Sequence, residues 1–231
     1  MLTNKINSKT KFSPFMRNVK IDSLEPRQQK TDRRFKISAD IYQQSFLKFS
    51  GIGVFHSYHE LLYAGLLESN PDITYFVPQP YKFLIGKRRY TPDFFYIKKG
   101  KHYVIEVKPK GELKDETLIP ISTYLSAENI KFKVVSNEKI RAKEQLAKNW
   151  LQIVRVLKSA ENLDTTFEEK NILDQCRVNS KKLIGDFINP FSRDKDFKNE
   201  IAIYRLAHSG KVSLDIKANP INFNSEVTSC R

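Results

Sequence analysis

Between Tyr81 and Val107 the chain passes through three β-rich stretches separated by two short turns, and this pattern constrains the fold more than any other. The stretches are Tyr81–Ile85, Tyr90–Ile97 and Tyr103–Val107. Gly86-Lys87-Arg88-Arg89 makes the first turn and Lys98-Lys99-Gly100-Lys101 the second. Turns this short join antiparallel neighbours, so the spacing predicts a meander. A helix is expected upstream over Ser57–Glu68, where Ser57-Tyr-His-Glu60 fits a capping box and Pro71 prevents continuation. Downstream, Asp115–Glu128 predicts a second helix, with Pro120 in its early turns. Lys131–Val135 is a further strand that reaches the sheet by crossover. The order of elements is that of an α/β core.

Flanking regions differ in character, and three stretches follow from this: 1–48, 49–137 and 138–231. Residues 1–48 carry eleven Lys and Arg against four Asp and Glu, half of the net charge of +14. They read as a basic arm with short ordered pieces, either a loose tail or a segment lying along phosphates, where Arg33, Arg34 and Lys36 surround Phe35. In residues 138–231, Leu146, Trp150, Leu151, Val154 and Leu157 recur near a 3.6 period over Lys143–Ala160. That stripe is a core face. Helices are predicted over Phe167–Arg177 and Lys181–Ile188, and another runs from Phe197 through Leu206 to a stop at Gly210. Val212, Leu214 and Ile216 then alternate as a strand. Helices followed by a small β element predict a smaller, mostly helical, winged-helix-like C-terminal domain.

Charge and composition narrow the function. A +14 chain of 231 residues, 40% hydrophobic, reads as a globular protein whose charge implies a polyanionic partner, either nucleic acid or an anionic membrane face, with nucleic acid favoured. No apolar run approaches the roughly 20 residues of a membrane span. Met1–Lys20 is polar and basic, without the apolar stretch of a secretory leader. Nucleic acid is therefore the expected partner. Cys176 and Cys230 have no metal-ligand spacing and suggest no disulfide framework, which fits a reducing cytoplasm.

The chemistry concentrates in Pro92-Asp93, twelve residues, then Glu106-Val107-Lys108. Asp93 falls within the second predicted strand and Glu106 and Lys108 at the end of the third. Side chains two apart on a strand share a face, so Glu106 and Lys108 project together, and the hairpin can bring Asp93 beside them. Paired carboxylates offer hard oxygen ligands to Mg²⁺, which can polarise a phosphodiester and activate water. Lys108 would orient that water or offset charge in the transition state. The plainer reading is a Glu106–Lys108 salt bridge on a wet strand face. Glu60 is the third candidate acid, unless it only satisfies the Ser57 amide as part of the capping box.

Other candidates rank below these. His59-Glu60 begins a zincin-like pattern, but position 63 is tyrosine, so His56 and His59 are read as ordinary surface or core histidines. Gln79, between Pro78 and Pro80, is read as a rigid residue leading into a strand before it is read as a polar neighbour of the site. Lys87, Arg88 and Arg89 are a solvated turn or a phosphate contact.

Ser57-Tyr-His-Glu60-Leu-Leu, Phe76-Val-Pro-Gln79-Pro, Arg89-Tyr-Thr-Pro-Asp93-Phe and Ile105-Glu106-Val-Lys108-Pro together resemble the TnsA family, the endonuclease subunits of heteromeric cut-and-paste transposases. The resemblance is densest over residues 51–137 and looser beyond. It implies a restriction-endonuclease-like mixed sheet of the PD-(D/E)XK type, with Glu60, Asp93, Glu106 and Lys108 at the catalytic positions. It implies Mg²⁺, replaceable by Mn²⁺, held by Asp93, Glu106 and Glu60 with the carbonyl of Val107. It also implies double-stranded DNA at transposon ends, a TnsB-like transposase and a TnsC-like ATPase as partners, and cleavage of the 5′ strands. Some members have Gln at the Glu106 position, and this chain has the commoner nuclease residue there. A stand-alone restriction or repair nuclease of the same fold, and a non-catalytic binding module, are the alternatives.

Overall fold

A computed structural model describes residues 19–30, 40–178 and 181–230. Arg33, Arg34 and Lys36, with the phosphate contact expected of them, lie outside the described residues. The elements run β1 (Val19–Ile21), β2 (Tyr42–Ser45), β3 (Ile52–Phe55), α1 (Tyr58–Glu68), β4 (Ile73–Pro78), β5 (Phe83–Ile85), β6 (Arg88–Tyr90), β7 (Phe94–Lys98), β8 (Lys101–Lys108), α2 (Asp115–Ala127) and β9 (Ile130–Ser136). They continue with α3 (Asn137–Arg141), α4 (Glu144–Ser159), α5 (Thr166–Val178), β10 (Lys182–Leu183), a 3₁₀ turn (Ile184–Asp186), α6 (Phe197–His208), β11 (Val212–Leu214) and β12 (Glu226–Ser229).

The central sheet has the order β4-β7-β8-β9. Lys99 and Gly100, with φ of 48° and 71°, adopt the left-handed conformations that a two-residue hairpin loop requires, and they fix β7 against β8 with Phe94 opposite Ile105. β4 pairs antiparallel with β7, whereas β9 runs parallel to β8 after the α2 crossover. The sheet is therefore mixed, as a nuclease-like α/β core requires. Both of its faces are covered. Phe94, Ile105 and Val107 pack with Phe46, Phe55, Leu62, Leu151 and Val154 under α1 and α4. Phe95 and Val104 pack with Tyr81, Phe83, Ile121 and Leu125 on the α2 side. Each such side chain contributes roughly 1.5–3 kcal/mol on burial.

The expected meander is corrected in two respects. Its first run does not join the central sheet: β5 pairs with β1 and β6 in a separate three-stranded sheet. Its second run is two strands. Pro92 has no N–H to donate, and the chain kinks over Thr91–Asp93, so β6 ends at Tyr90 and β7 begins at Phe94. The partner that β7 takes on its other edge is β4, which the pattern of apolar residues did not mark. The basic arm also reaches into the fold. β2 pairs with β3, Phe46 is 1% exposed, and the backbone N–H groups of Arg27 and Gln29 donate to the carbonyls of Pro80 and Gln79.

α4 belongs to two cores at once. Ala147, Leu151 and Val154 face the sheet, while Trp150, Ile153 and Leu157 pack with α5, α6 and β11. A second tie is buried. The Glu68 carboxylate, 0% exposed, accepts from the amides of Leu47 and Lys48 and meets Nε2 of His208 at 2.7 Å. The ammonium of Lys48 caps the end of α1 by donating to the carbonyls of Glu68 and Asn70. Beyond α5, the helix expected over Lys181–Ile188 is absent. Ile184 and Gly185 donate to the carbonyls of Ser225 and Phe223, which draws this stretch into the antiparallel sheet β10-β12-β11. Among the described residues, no helix is long and apolar enough to cross a membrane.

Candidate active site

Glu60 sits in the first turn of α1, Asp93 at the kink before β7, and Glu106 and Lys108 near the end of β8. The period of the strand sets Glu106 and Lys108 on the face that Val104 shares with the α2 side of the sheet. Asp93 is tied to the same strand twice. Its Oδ2 accepts from the Val107 amide at 2.6 Å, and its own amide donates to the Ile105 carbonyl at 3.0 Å. Glu60 takes the His56 amide on Oε2 and the Ser57 hydroxyl on Oε1. It does not use the Ser57 amide that a capping box would offer, although the Ser57 Oγ accepts from the Glu60 amide in the usual way.

The structure brings these four side chains into one electrostatic unit. Burial lifts the Glu60 carboxyl above its ordinary value, against hydrogen bonds from His56, Ser57 and Gln79 and the charge of Lys108. Burial, then the charges of Glu106 and Glu60, hold Asp93 well above the usual carboxylate range. Burial also raises Glu106, against Lys108 and Tyr90, which favour its ionised form. For Lys108, burial acts downwards, but contact with Glu106 and the charges of Asp93 and Glu60 outweigh it and raise the ammonium. The Lys108–Glu106 ion pair is present at 2.5 Å, yet Glu106 is only 2% exposed. The salt bridge of the plainer reading is therefore present, with its lysine end half-exposed and its carboxylate end buried.

The charges of three buried acids act on one another and on one lysine, and their mutual repulsion is what a bound cation would relieve. Gln79 Oε1 adds a buried acceptor that has no hydrogen-bond partner. Oxygen donors of this kind suit a hard divalent ion such as Mg²⁺, which uses one or two carboxylates and keeps several waters. Among the described residues, no three His, Cys, Asp or Glu side chains are already gathered as a cage for an ion.

Two further residues belong to the site. The Tyr90 hydroxyl donates to Glu106 Oε2 at 2.6 Å, and burial together with the Glu106 charge keeps that phenol protonated. The sequence held no signal for it beyond its place at the start of a β-rich run. Gln79 donates from Nε2 to Glu60 Oε2 at 3.1 Å, and its amide donates to the Asp93 carbonyl at 2.8 Å. It is thus a neighbour of the site as well as a rigid backbone position. His56 serves through its backbone, and His59 accepts from Arg141 Nε at 3.0 Å. Lys87, Arg88 and Arg89 are exposed on the β5–β6 hairpin, whose last residue is Tyr90. Arg88 also reaches the Thr117 hydroxyl at 3.4 Å.

Residues 68–152 match the family described as TnsA-like endonuclease N terminal. The matched span contains Gln79, Tyr90, Asp93, Glu106 and Lys108, and begins after Glu60. No curated protein matches the chain. Residues 68–152 are therefore similar to a TnsA-like endonuclease N-terminal domain, a family whose fold is of the PD-(D/E)XK type.

Proposed function

We propose that the chain is the DNA endonuclease subunit of a cut-and-paste transposition system, hydrolysing the 5′, non-transferred strands at transposon ends. The electrostatic coupling of Asp93, Glu106 and Lys108, which lie in the TnsA-like span, with Glu60 just before it carries this reading. Asp93, Glu106 and the Val107 carbonyl would hold Mg²⁺, or Mn²⁺ in its place, with Glu60 completing the set. When bound, such an ion supplies Lewis-acid polarisation of the phosphate and a more acidic water. Lys108 stays protonated beside Glu106 and is placed to orient the attacking water or offset phosphorane charge. The Val107 amide keeps one Asp93 oxygen directed, and the Ser57 and His56 donors do the same for Glu60. Lys87, Arg88 and Arg89 flank the site as phosphate contacts.

Partners follow from the same reading: duplex DNA at transposon ends, a TnsB-like transposase that processes the 3′ ends, and a TnsC-like ATPase. The setting is a bacterial cytoplasm. The C-terminal region is winged-helix-like. Its sequence of α5, β10, a short turn, α6, β11 and β12, with sheet order β10-β12-β11, supports this. Ile201–Tyr204 of α6 are all buried, which argues against insertion of that helix into a DNA groove.

The test is cleavage of an end-labelled duplex bearing a transposon end, with and without the cognate transposase. Cutting of the 5′ strand that requires the transposase is the expected result. Robust cutting by the chain alone points to a restriction or repair nuclease. Absence of any cut while the transposase processes its own strand points to a binding module.

A further inference from the structure

Gln79 occupies a conformation that its side chain does not favour. Its φ is 42°, in the left-handed region, although it is neither glycine nor asparagine and precedes Pro80. A residue before proline is normally driven to extended backbone, and a left-handed non-glycine residue is strained. The strain is enforced from both sides. Pro78 and Pro80 fix their own φ angles, the Gln79 amide donates to the Asp93 carbonyl, and the Gln79 carbonyl accepts from Gln29 at 3.0 Å. A position needed only for its backbone would be eased by Gly or Asn.

The side chain accounts for the glutamine. It is 3% exposed and reaches the active site. Nε2 donates to Glu60 Oε2 at 3.1 Å, and the reverse orientation would set two oxygens against each other. Oε1 is therefore left as a buried acceptor with no donor. Buried acceptors are rarely left unpaired, and this one lies on the side chain whose Nε2 holds the Glu60 carboxylate.

We infer that Gln79 is a positioning residue of the active site: its NH₂ fixes the Glu60 carboxylate, and its Oε1 accepts a hydrogen bond from a water in the coordination shell of the bound metal. This rests on the metal-dependent reading above. It makes Gln79 the link between Glu60 on α1 and Asp93 at the kink, since it bonds to both.

The test is Mn²⁺ binding to the full-length protein without DNA, by calorimetry, beside single-turnover DNA cleavage. Gln79→Asn keeps an amide and suits the left-handed backbone, but is one methylene too short. Gln79→Met fills the same length with no amide and serves if the first variant does not fold. Thermal unfolding checks both. The expected result is a folded variant whose Mn²⁺ affinity falls about ten-fold or more, with kcat reduced and KM for DNA unchanged. A folded variant that binds Mn²⁺ within about two-fold of wild type, with unchanged kcat, overturns the inference. Asp93→Ala separates the two levels. Loss of Mn²⁺ there, with Gln79 variants unaffected, removes Gln79 alone. If wild type takes up no Mn²⁺, the metal reading falls and the role of Gln79 falls with it.

Discussion

The hydroxyl of Tyr90 and the ammonium of Lys108 hold opposite oxygens of Glu106, Tyr90 at 2.6 Å on Oε2 and Lys108 on Oε1. A carboxylate oxygen has two lone pairs, so this grip orients Glu106 without closing it to a metal. Tyr90→Phe removes one donor from a buried anion. The expected cost is roughly 1.5–3 kcal/mol of stability in denaturant unfolding. Cleavage should slow about ten-fold or more, with a higher Mg²⁺ concentration for half-maximal rate.

Asp93 sets the pH behaviour. Its carboxyl is raised well above the ordinary 3.8, by burial first and then by Glu106 and Glu60. The folded chain thus keeps a proton that the unfolded chain releases. Stability linked to this group is full below the unfolded pKa and is lost as pH rises through the folded one. Asp93→Asn should therefore melt higher than wild type at neutral pH, and the gain should vanish as pH falls below about 4. Adding Mn²⁺ should raise the melting temperature of wild type and leave the variant unmoved. Calorimetry across pH reads both effects.

Helix packing gives a purely structural prediction. A Cβ on Gly65 would lie 2.7 Å from the Ala147 carbonyl, so α1 and α4 cross too closely for any side chain there. Gly65→Ala should cost about 1–3 kcal/mol, or roughly 2–4 °C of melting temperature for each kcal/mol. Because α4 joins both cores, fluorescence of the sole tryptophan, Trp150, should report the same transition as far-ultraviolet circular dichroism. Two separate transitions would contradict this.

The β5–β6 hairpin should contribute to DNA affinity without touching the metal. Lys87→Ala or Arg89→Ala should weaken duplex binding uniformly across sequences. Each should lower the slope of log K against log salt by about 1. Mn²⁺ affinity should not change in either variant.

Much of the site was legible because its signals are local. Glu106 and Lys108 share a face by the period of a strand, and Pro92-Asp93 stands out by type. Tyr90 was hidden because Tyr90–Ile97 reads as one β run, whereas the proline at 92 divides it and turns Tyr90 back onto Glu106. β4 was hidden because the Pro78-Gln79-Pro80 stretch was read as leading into a strand, whereas Pro78 closes one as its last residue. The region of Lys181–Ile188 failed for a different reason. Its apolar spacing suits a helix, but its backbone partners are Phe223 and Ser225, some forty residues on, and pairing at that range leaves no local mark. Phe46 entered the core from a stretch whose charge made it look like a solvated arm.

The central claim is that Asp93 belongs to a phosphodiester-cleaving centre. Single-turnover cleavage of a transposon-end duplex, in Mg²⁺ with the cognate transposase present, tests it most directly for wild type and Asp93→Ala. The account predicts a 5′-strand product from wild type and none from the variant, with the transposase's own 3′-strand cut retained in both. An Asp93→Ala protein that yields the 5′-strand product at the wild-type rate would contradict it.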